Sequence, residues 1–516
     1  MPEPQVDTPT AVASTYGLTV RLGIERAKCA ARGRTCQPPS ERRSWCDRPP
    51  GRASAETDVS TLTGPVAITE PTWAPSSWRG LPAGQQPEWP DAATLAAVRE
   101  RLQALPPLVF AGEARALLAG LGEVCEGRAF LLQAGECVES FRDVSAPGIR
   151  EKLKVLLQMS AVLTYGAMLP VVKVGRIAGQ FAKPRTVATE VVNGIELPSF
   201  RGHVVHSDEP TPEARVPDPE RLVQGYYQAA STLNLLRAFT KGGFADLTLV
   251  HTWNREFVAS SPAGQRYEAL ADGIERALRF MQAIGIDLLN ERTLHEVDVW
   301  TSHEGLLLEY EEPLTRKDSL TGQWYDCSAH LLWIGERTRD LDGAHVEFFS
   351  GVHNPVGVKV GPHATPEEVV GLAERLNPGR VPGRLSLIAR MGAERVREAL
   401  PPLLEAVREA EVPVVWVCDP MHANLVRTPS GTKTRHFDAI MAELQGFFAA
   451  HREVGTWPGG VHIEFTGEDV TECLGGSEAV LEEQLDRRYE TLCDPRLNGR
   501  QSLDLAFRVA ELMRAA

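Results

Sequence analysis

The 516-residue chain has no window of eighteen uninterrupted apolar residues, no apolar core behind its N-terminus and no G-x-G-x-x-G. These absences exclude a membrane-spanning helix, a secretory signal and the dinucleotide fingerprint of a Rossmann domain. Nor is there an excess of cations: 54 Lys and Arg stand against 68 Asp and Glu, a net charge of −14. A protein that coats nucleic acid needs clustered basic residues to displace the counterions of the phosphates, so that class is excluded as well. Cysteine is scarce, nine in the whole chain, too few for a disulfide-built scaffold and in keeping with a reducing cytoplasm. What remains is 43% hydrophobic and 24% charged, the balance of a water-soluble globule with a substantial core. The length suits one large domain with additions.

The first 77 residues stand apart. Arg, Pro, Ser and Gly mix there without a period of 3.6 or 2.0, as in RGRTCQPPSERRSWCDRPPGRAS, so a poorly ordered N-terminal extension is expected. Cys29, Cys36 and Cys46 lie in it, but no C-x-x-C pair forms, which argues against zinc. From Trp78 to the end the pattern is globular. Residues 91–122 read as two apolar-periodic helices broken at Pro106 and Pro107. Short apolar runs then recur at 130–132, 170–174, 306–308, 330–334, 356–360, 385–389, 413–418 and 461–465. Each reads as a strand buried on both faces, and helical stretches such as 394–410 and 436–451 separate most of them. Eight such units predict an α/β fold, the (β/α)8 TIM barrel. The gap at about 186–300 is too long for one connection. With helices near 219–240 and 263–284, it is expected to be a helical insertion between the second and third strands.

Catalytic groups of such barrels stand where strands end, and reactive residues recur there. Cys137 follows the first run, and Arg176, Lys183 and Arg185 follow the second. Trp333, Glu336 and Arg337 close the fourth, Lys359 the fifth and Arg390 the sixth. His422 follows the seventh, Glu464 lies in the eighth, and Asp494 comes after it. Lys183, Arg185, Arg337, Lys359 and Arg390 bring five cations to one rim of an acidic protein, which predicts a site for phosphates or carboxylates. Any one of them alone reads as a solvated surface charge. Cys137, His422, Glu464 and Asp494 form a donor set suited to a borderline divalent ion. Singly, a small buried thiol and a hydrogen-bonded loop histidine are the simpler readings.

Taken in order, the segments QAGEC, VVKVGRIAGQFAKPR, WNREFV, SHEGLLLEYE, LLWIGERTR, NPVGVKVGP, LIARMG, CDPMHAN, KTRHFD, VHIEFTGEDVTECLGG and YETLCDPRLN resemble the class II 3-deoxy-D-arabino-heptulosonate 7-phosphate (DAHP) synthases over about residues 78–513. The resemblance implies a metal-dependent barrel that condenses phosphoenolpyruvate (PEP) with erythrose 4-phosphate and water. The products are DAHP and phosphate, at the entry to the shikimate pathway toward chorismate and the aromatic amino acids. It implies metal ligation by Cys137, His422, Glu464 and Asp494, with Mn²⁺ or Co²⁺ as the ion and Zn²⁺ or Fe²⁺ as alternatives. PEP binding falls to Arg176, Trp333, Glu336, Arg337, Lys359 and Arg390, and the sugar phosphate to Lys183, Pro184, Arg185 and Thr186. Lys359 is then the candidate proton donor, while Glu336 orients water or balances Arg337. A homo-oligomer (dimer or tetramer), a chorismate mutase partner and an aromatic amino-acid effector are further implications, the effector at the N-terminal helices or the insertion.

Some positions depart from the family pattern. Thr186 stands where Ser is expected, Ala423 follows the DPMH segment in place of Gly, FRGHVVHS replaces YRGD-x-VN, and His353 precedes NPVG. The FRGHVVHS change leaves room for an amino-sugar substrate of a secondary pathway. A weakly active scaffold subunit is the second alternative, although every metal and PEP position is intact. Cys493, next to Asp494, is a candidate redox partner of Cys137 if both converge on the metal.

Overall fold

The computed structural model describes residues 73–260, 264–285 and 296–515. The expectation for residues 1–72, with Cys29, Cys36 and Cys46, lies outside the described residues. Residues 73–77, grouped above with the extension, are packed onto the domain: Trp73 donates through its indole to the Glu347 carbonyl at 3.0 Å and meets Phe348 and Trp324 ring to ring.

The helices α1 (Ala92–Ala104) and α2 (Ala111–Cys125) lead into β1 (Phe130–Gly135), α3 (Ala146–Ala167) and β2 (Val171–Arg176). A small hairpin, β3 (Thr189–Val192) and β4 (Ile195–Pro198), precedes α4 (Glu220–Lys241), α5 (Leu247–Ser260) and α6 (Gly264–Ala283). After β5 (Trp300–Glu304) come α7 (Leu308–Leu314) and a second hairpin, β6 (Thr315–Lys317) with β7 (Trp324–Asp326). The chain continues through β8 (Leu331–Ile334), α8 (Ala344–Gly351), β9 (Val356–Val360), α9 (Pro366–Leu376), β10 (Leu385–Ala389), α10 (Val396–Glu409) and β11 (Val415–Cys418). It ends with the hairpin β12 (Leu425–Arg427) and β13 (Lys433–Arg435), then α11 (Phe437–Val454), β14 (Gly460–Glu464) and α12 (Gly499–Ala515). Strands β1, β2, β5, β8, β9, β10, β11 and β14 close in parallel into one eight-stranded barrel, as predicted.

Two expectations need correction. The third strand is not at 306–308 but at Trp300–Glu304, and Leu308 opens α7. The strand carries Thr301, Ser302 and His303, buried and polar, so it lacks the apolar signature; Leu306–Leu308 has that signature because loop and helix are buried too. A short apolar run does not distinguish strand from buried helix. The insertion between β2 and β5 is helical as expected but begins with the β3–β4 hairpin and contains a third helix, α5.

Alternation along the strands explains where the site comes from. Leu131, Val172, Val174, Leu331, Trp333, Ile388, Val415 and Val417 face the lumen as one apolar cluster. Helix α2 plugs the lower end with Leu117, Leu121 and Val124, each fully buried. A strand returns to the same face every second residue. Two residues above Val174 is therefore Arg176, and two above Ile388 and Val417 are Arg390 and Asp419. The lumen is apolar below and charged above. The second apolar face of each strand meets the surrounding helices in the main core, for example Ile463 and Phe130 against α3 and α12. Close approach at the rim requires glycine at 135, whose φ is +153° and where a Cβ would lie 2.5 Å from the Arg176 carbonyl oxygen. Among the described residues no helix is long and apolar enough to cross a membrane.

Candidate active site at the barrel mouth

The C-terminal strand ends open into a cavity of about 720 Å³. Its wall includes Arg176, Lys183, Arg185, Arg337, Lys359 and Arg390. Pro184, Thr186, Trp333, Glu336, His422, Cys493 and Asp494 also line it, whereas Cys137 and Glu464 lie beneath the wall, both fully buried. The structure thus brings all fifteen residues picked from the sequence to one place.

The two carboxylates and the histidine converge. His422 Nε2 is 2.9 Å from Glu464 Oε1, and its Nδ1 is 2.7 Å from Asp419 Oδ2. A carboxylate only accepts, so Asp419 holds a proton on Nδ1 and turns Nε2 toward Glu464, where an imidazolium N–H or a bound cation would join the two atoms. His422, Glu464 and Asp494 place donor atoms within 4.8 Å of one another, and so do Cys137, Cys493 and Asp494. The Lys183 ammonium is itself a cation among these donors, 2.8 Å from Cys137 Sγ, 2.9 Å from Asp494 Oδ2 and 3.2 Å from Glu464 Oε1. A cluster of thiol, imidazole and two carboxylates that gathers a cation fits a divalent metal.

Electrostatics follow from burial and these partners. Burial opposes ionisation of Glu464, but His422, Lys183, Arg435 and Arg176 outweigh it and hold the carboxyl well below its usual range. Asp494 is likewise lowered, Lys183 and Arg435 overcoming burial and the Glu464 charge. Burial pulls Lys359 down to about 8 although Asp419 pairs with its ammonium. The neighbouring thiols act as a pair: the Cys137 hydrogen bond, with Lys183 and Arg185 nearby, outweighs burial and lowers Cys493 to about 7. Arg185 Nη1 donates to Cys493 Sγ at 2.9 Å, and its Nη2 pairs with Glu190 at 2.7 Å. Arg337 donates to the Thr186 hydroxyl, which joins the KPRT segment to the β8 rim. Glu336 pairs with Arg339 at 3.2 Å rather than with Arg337. Among the described residues, Arg390 Nε, Glu336 Oε2 and Glu304 Oε1 are buried without hydrogen-bond partners at this wall, the mark of a surface built for polar ligands.

Several contributors were not picked from the sequence. Asp419, fully buried, anchors both Lys359 and His422. Arg435 pairs with Glu464 Oε2 at 2.8 Å, and Lys433 with Asp494 Oδ1 at 2.9 Å. Both belong to the KTRHFD segment, whose two cations just before an apolar helix were the available signal. His462 and Gln133 lie deeper in the lumen, where an uncharged side chain in an apolar strand gives no signal at all.

The sequence model of the Class-II DAHP synthetase family matches residues 73–510. The chain is 56% identical over 448 residues, 87% of its length, to a protein of Streptomyces coelicolor called phospho-2-dehydro-3-deoxyheptonate aldolase, 99% of which is covered. It is 52% identical over 439 residues, 84% of its length, to phospho-2-dehydro-3-deoxyheptonate aldolase AroG of Mycolicibacterium smegmatis, covered to 93%.

Proposed function

The chain belongs to the class-II DAHP synthetase family and is a DAHP synthase, and we propose that its barrel mouth joins PEP to erythrose 4-phosphate around a divalent metal. The observation that carries this reading is the pairing, in one cavity, of a cation-rich wall with the cation-gathering cluster of Cys137, His422, Glu464 and Asp494.

PEP brings a carboxylate and a phosphate, and the sugar brings a second phosphate. These anions repel one another, and fixed cations hold them at reacting distance. Arg176, Arg337, Lys359 and Arg390 take PEP, with the Trp333 ring as floor: the Arg176 guanidinium carbon is 5.1 Å and Lys359 Nζ 5.8 Å from its centroid. Lys183, Pro184, Arg185 and Thr186 take the sugar phosphate. A divalent ion held by Cys137, His422, Glu464 and Asp494 supplies Lewis-acid polarisation of the aldehyde oxygen when bound. The PEP methylene carbon attacks the aldehyde carbon, water adds to the electron-poor C2, and phosphate leaves with C–O cleavage. Lys359 delivers the proton to the new alkoxide; a value of about 8 suits a group that gives up a proton near neutrality. Glu336, its Oε2 free of protein partners among the described residues, orients the water. Mn²⁺ or Co²⁺ is the expected ion, by the resemblance. The six described cysteines are all free, which agrees with a cytoplasmic setting. Helices α1 and α2 and the insertion offer the surfaces for an effector, a partner enzyme or a second copy of the chain.

Neither the amino-sugar substrate nor a scaffold-only role is favoured. His203, in the segment that raised the first alternative, is buried and bonded to Asp208 at 2.8 Å; it does not line the cavity, whereas Phe200 of the same segment does. The test is to supply PEP and Mn²⁺ with either erythrose 4-phosphate or its imino analogue. Phosphate release with the oxygen sugar supports the reading; release with the imino analogue alone contradicts it.

A further inference from the structure

Under the proposed PEP site lies a directed ring of hydrogen bonds. Arg176 uses four of its five N–H groups on the protein: Nε on the Glu136 carbonyl at 2.9 Å, Nη2 on the Cys137 carbonyl at 3.2 Å and on Glu464 at 2.9 Å, and Nη1 on His462 Nε2. The second N–H of Nη1 has no partner among the described residues, and Arg176 lines the cavity. The side chain behind it therefore decides where that last donor points.

His462 is wholly buried, with Nδ1 2.8 Å from Gln133 Oε1. Gln133 Nε2 donates to Ser302 Oγ at 3.0 Å, and Ser302 donates to the Gly175 carbonyl at 3.1 Å. Both ends of this chain are fixed, since a guanidinium only donates and a carbonyl only accepts. Every bond between must run the same way, so His462 carries its proton on Nδ1 and offers the Nε2 lone pair to Arg176. The members come from four neighbouring strands, β14, β1, β5 and β2, and the ring returns to the residue before Arg176. Trp333 packs edge-on against His462, centroids 5.1 Å apart, which leaves the imidazole little freedom to turn.

We infer that His462, held in one tautomer by Gln133 and Ser302, is a positioning residue that aims the free N–H of Arg176 at an anionic group of PEP. An uncharged acceptor suits this task. Glu464 already pairs with the guanidinium; a second carboxylate in place of His462 would weaken its attraction for the ligand further, whereas imidazole orients it without adding negative charge. This inference rests on the reading of Arg176 as a PEP residue.

The test is calorimetric titration of PEP into the full chain with Mn²⁺ present and no sugar phosphate, alongside a thermal melt. His462→Leu removes the acceptor and should weaken PEP binding about tenfold or more, as expected for a hydrogen bond to a charged group. His462→Gln, whose Oε1 reaches a similar position, should restore affinity to within about threefold of wild type. Ser302→Ala breaks the far end of the chain and should cost about threefold at an unchanged melting temperature; it carries the test if the leucine variant melts early. KM for erythrose 4-phosphate should stay within about twofold in all of them. A folded leucine variant that binds PEP as wild type does, or a glutamine variant as weak as leucine, overturns the inference. Absence of PEP binding by the wild type would instead overturn the reading of the mouth, and this inference with it.

Discussion

The two ends of the barrel are made from the same strands and obey opposite rules. Below, Leu117, Leu121 and Val124 of α2 seat against Leu131, Val172, Val174, Leu331, Val415 and Val417. Above, two residues further along those strands or in the loops that follow, Arg176, Lys359 and Asp419 are buried with charges that must find partners. The lower end gains free energy from removing apolar surface from water. The upper end gathers desolvated charges held there by pairing, Arg176 with Glu464 and Asp419 with both Lys359 and His422. A barrel can carry such a mouth because its closed, apolar lower half and its outer core supply the stability.

That contrast can be broken deliberately. The largest effect on activity is expected at the metal cluster: His422→Ala or Cys137→Ser should lower kcat about a hundredfold or more, while circular dichroism and the melting profile show the fold retained. The reverse is expected at the plug. Leu121→Ala should cost about 2–5 kcal/mol of stability in denaturant titration and leave KM for both substrates unchanged. Equal loss of activity in the two variants would mean that the ends are not independent.

Two pH effects sharpen the comparison. Lys359 is cationic below about 8 and neutral above, so KM for PEP should rise as pH climbs through about 8; a flat profile would remove Lys359 from the PEP site. Glu311 on α7 and Glu443 on α11, both buried outside the cavity wall, are raised by desolvation from 4.5 to about 8. The folded chain then binds more protons than the unfolded chain between those values. Their contribution is complete below 4.5 and is lost as pH rises through about 8. Melting temperature should fall over that window, and Glu311→Gln should flatten part of the slope. The smallest effect is expected from the thiols. Mild peroxide on metal-stripped protein should link Cys137 to Cys493, with two thiols lost per chain and activity recovered on reduction; unchanged thiol titration would contradict it.

Much of this was legible in the sequence because it was placed by period and spacing. Seven of the eight strands stand where continuous apolar runs predict them, since strands covered on both faces are apolar throughout. The eighth, Trp300–Glu304, was hidden because its lumen face holds Ser302 and Glu304, part of the site itself. The ligating and anion-binding residues showed as charged groups at strand ends. Asp419 also stands at a strand end, but no local pattern shows that it anchors both Lys359 and His422. Gln133 and His462 did not show, because they pair across strands distant in sequence, as register neighbours on β1 and β14. Tautomer control of that kind is a property of the closed barrel, and no local pattern announces it.

The central claim, that the charged end is a metal-bearing site for two anionic substrates, is tested most directly by phosphate release from PEP and erythrose 4-phosphate before and after chelation. Wild-type protein should release phosphate in step with PEP consumption, stop with EDTA and recover with Mn²⁺ or Co²⁺, whereas His422→Ala should not recover. Phosphate release that continues unchanged in chelated His422→Ala protein would contradict it.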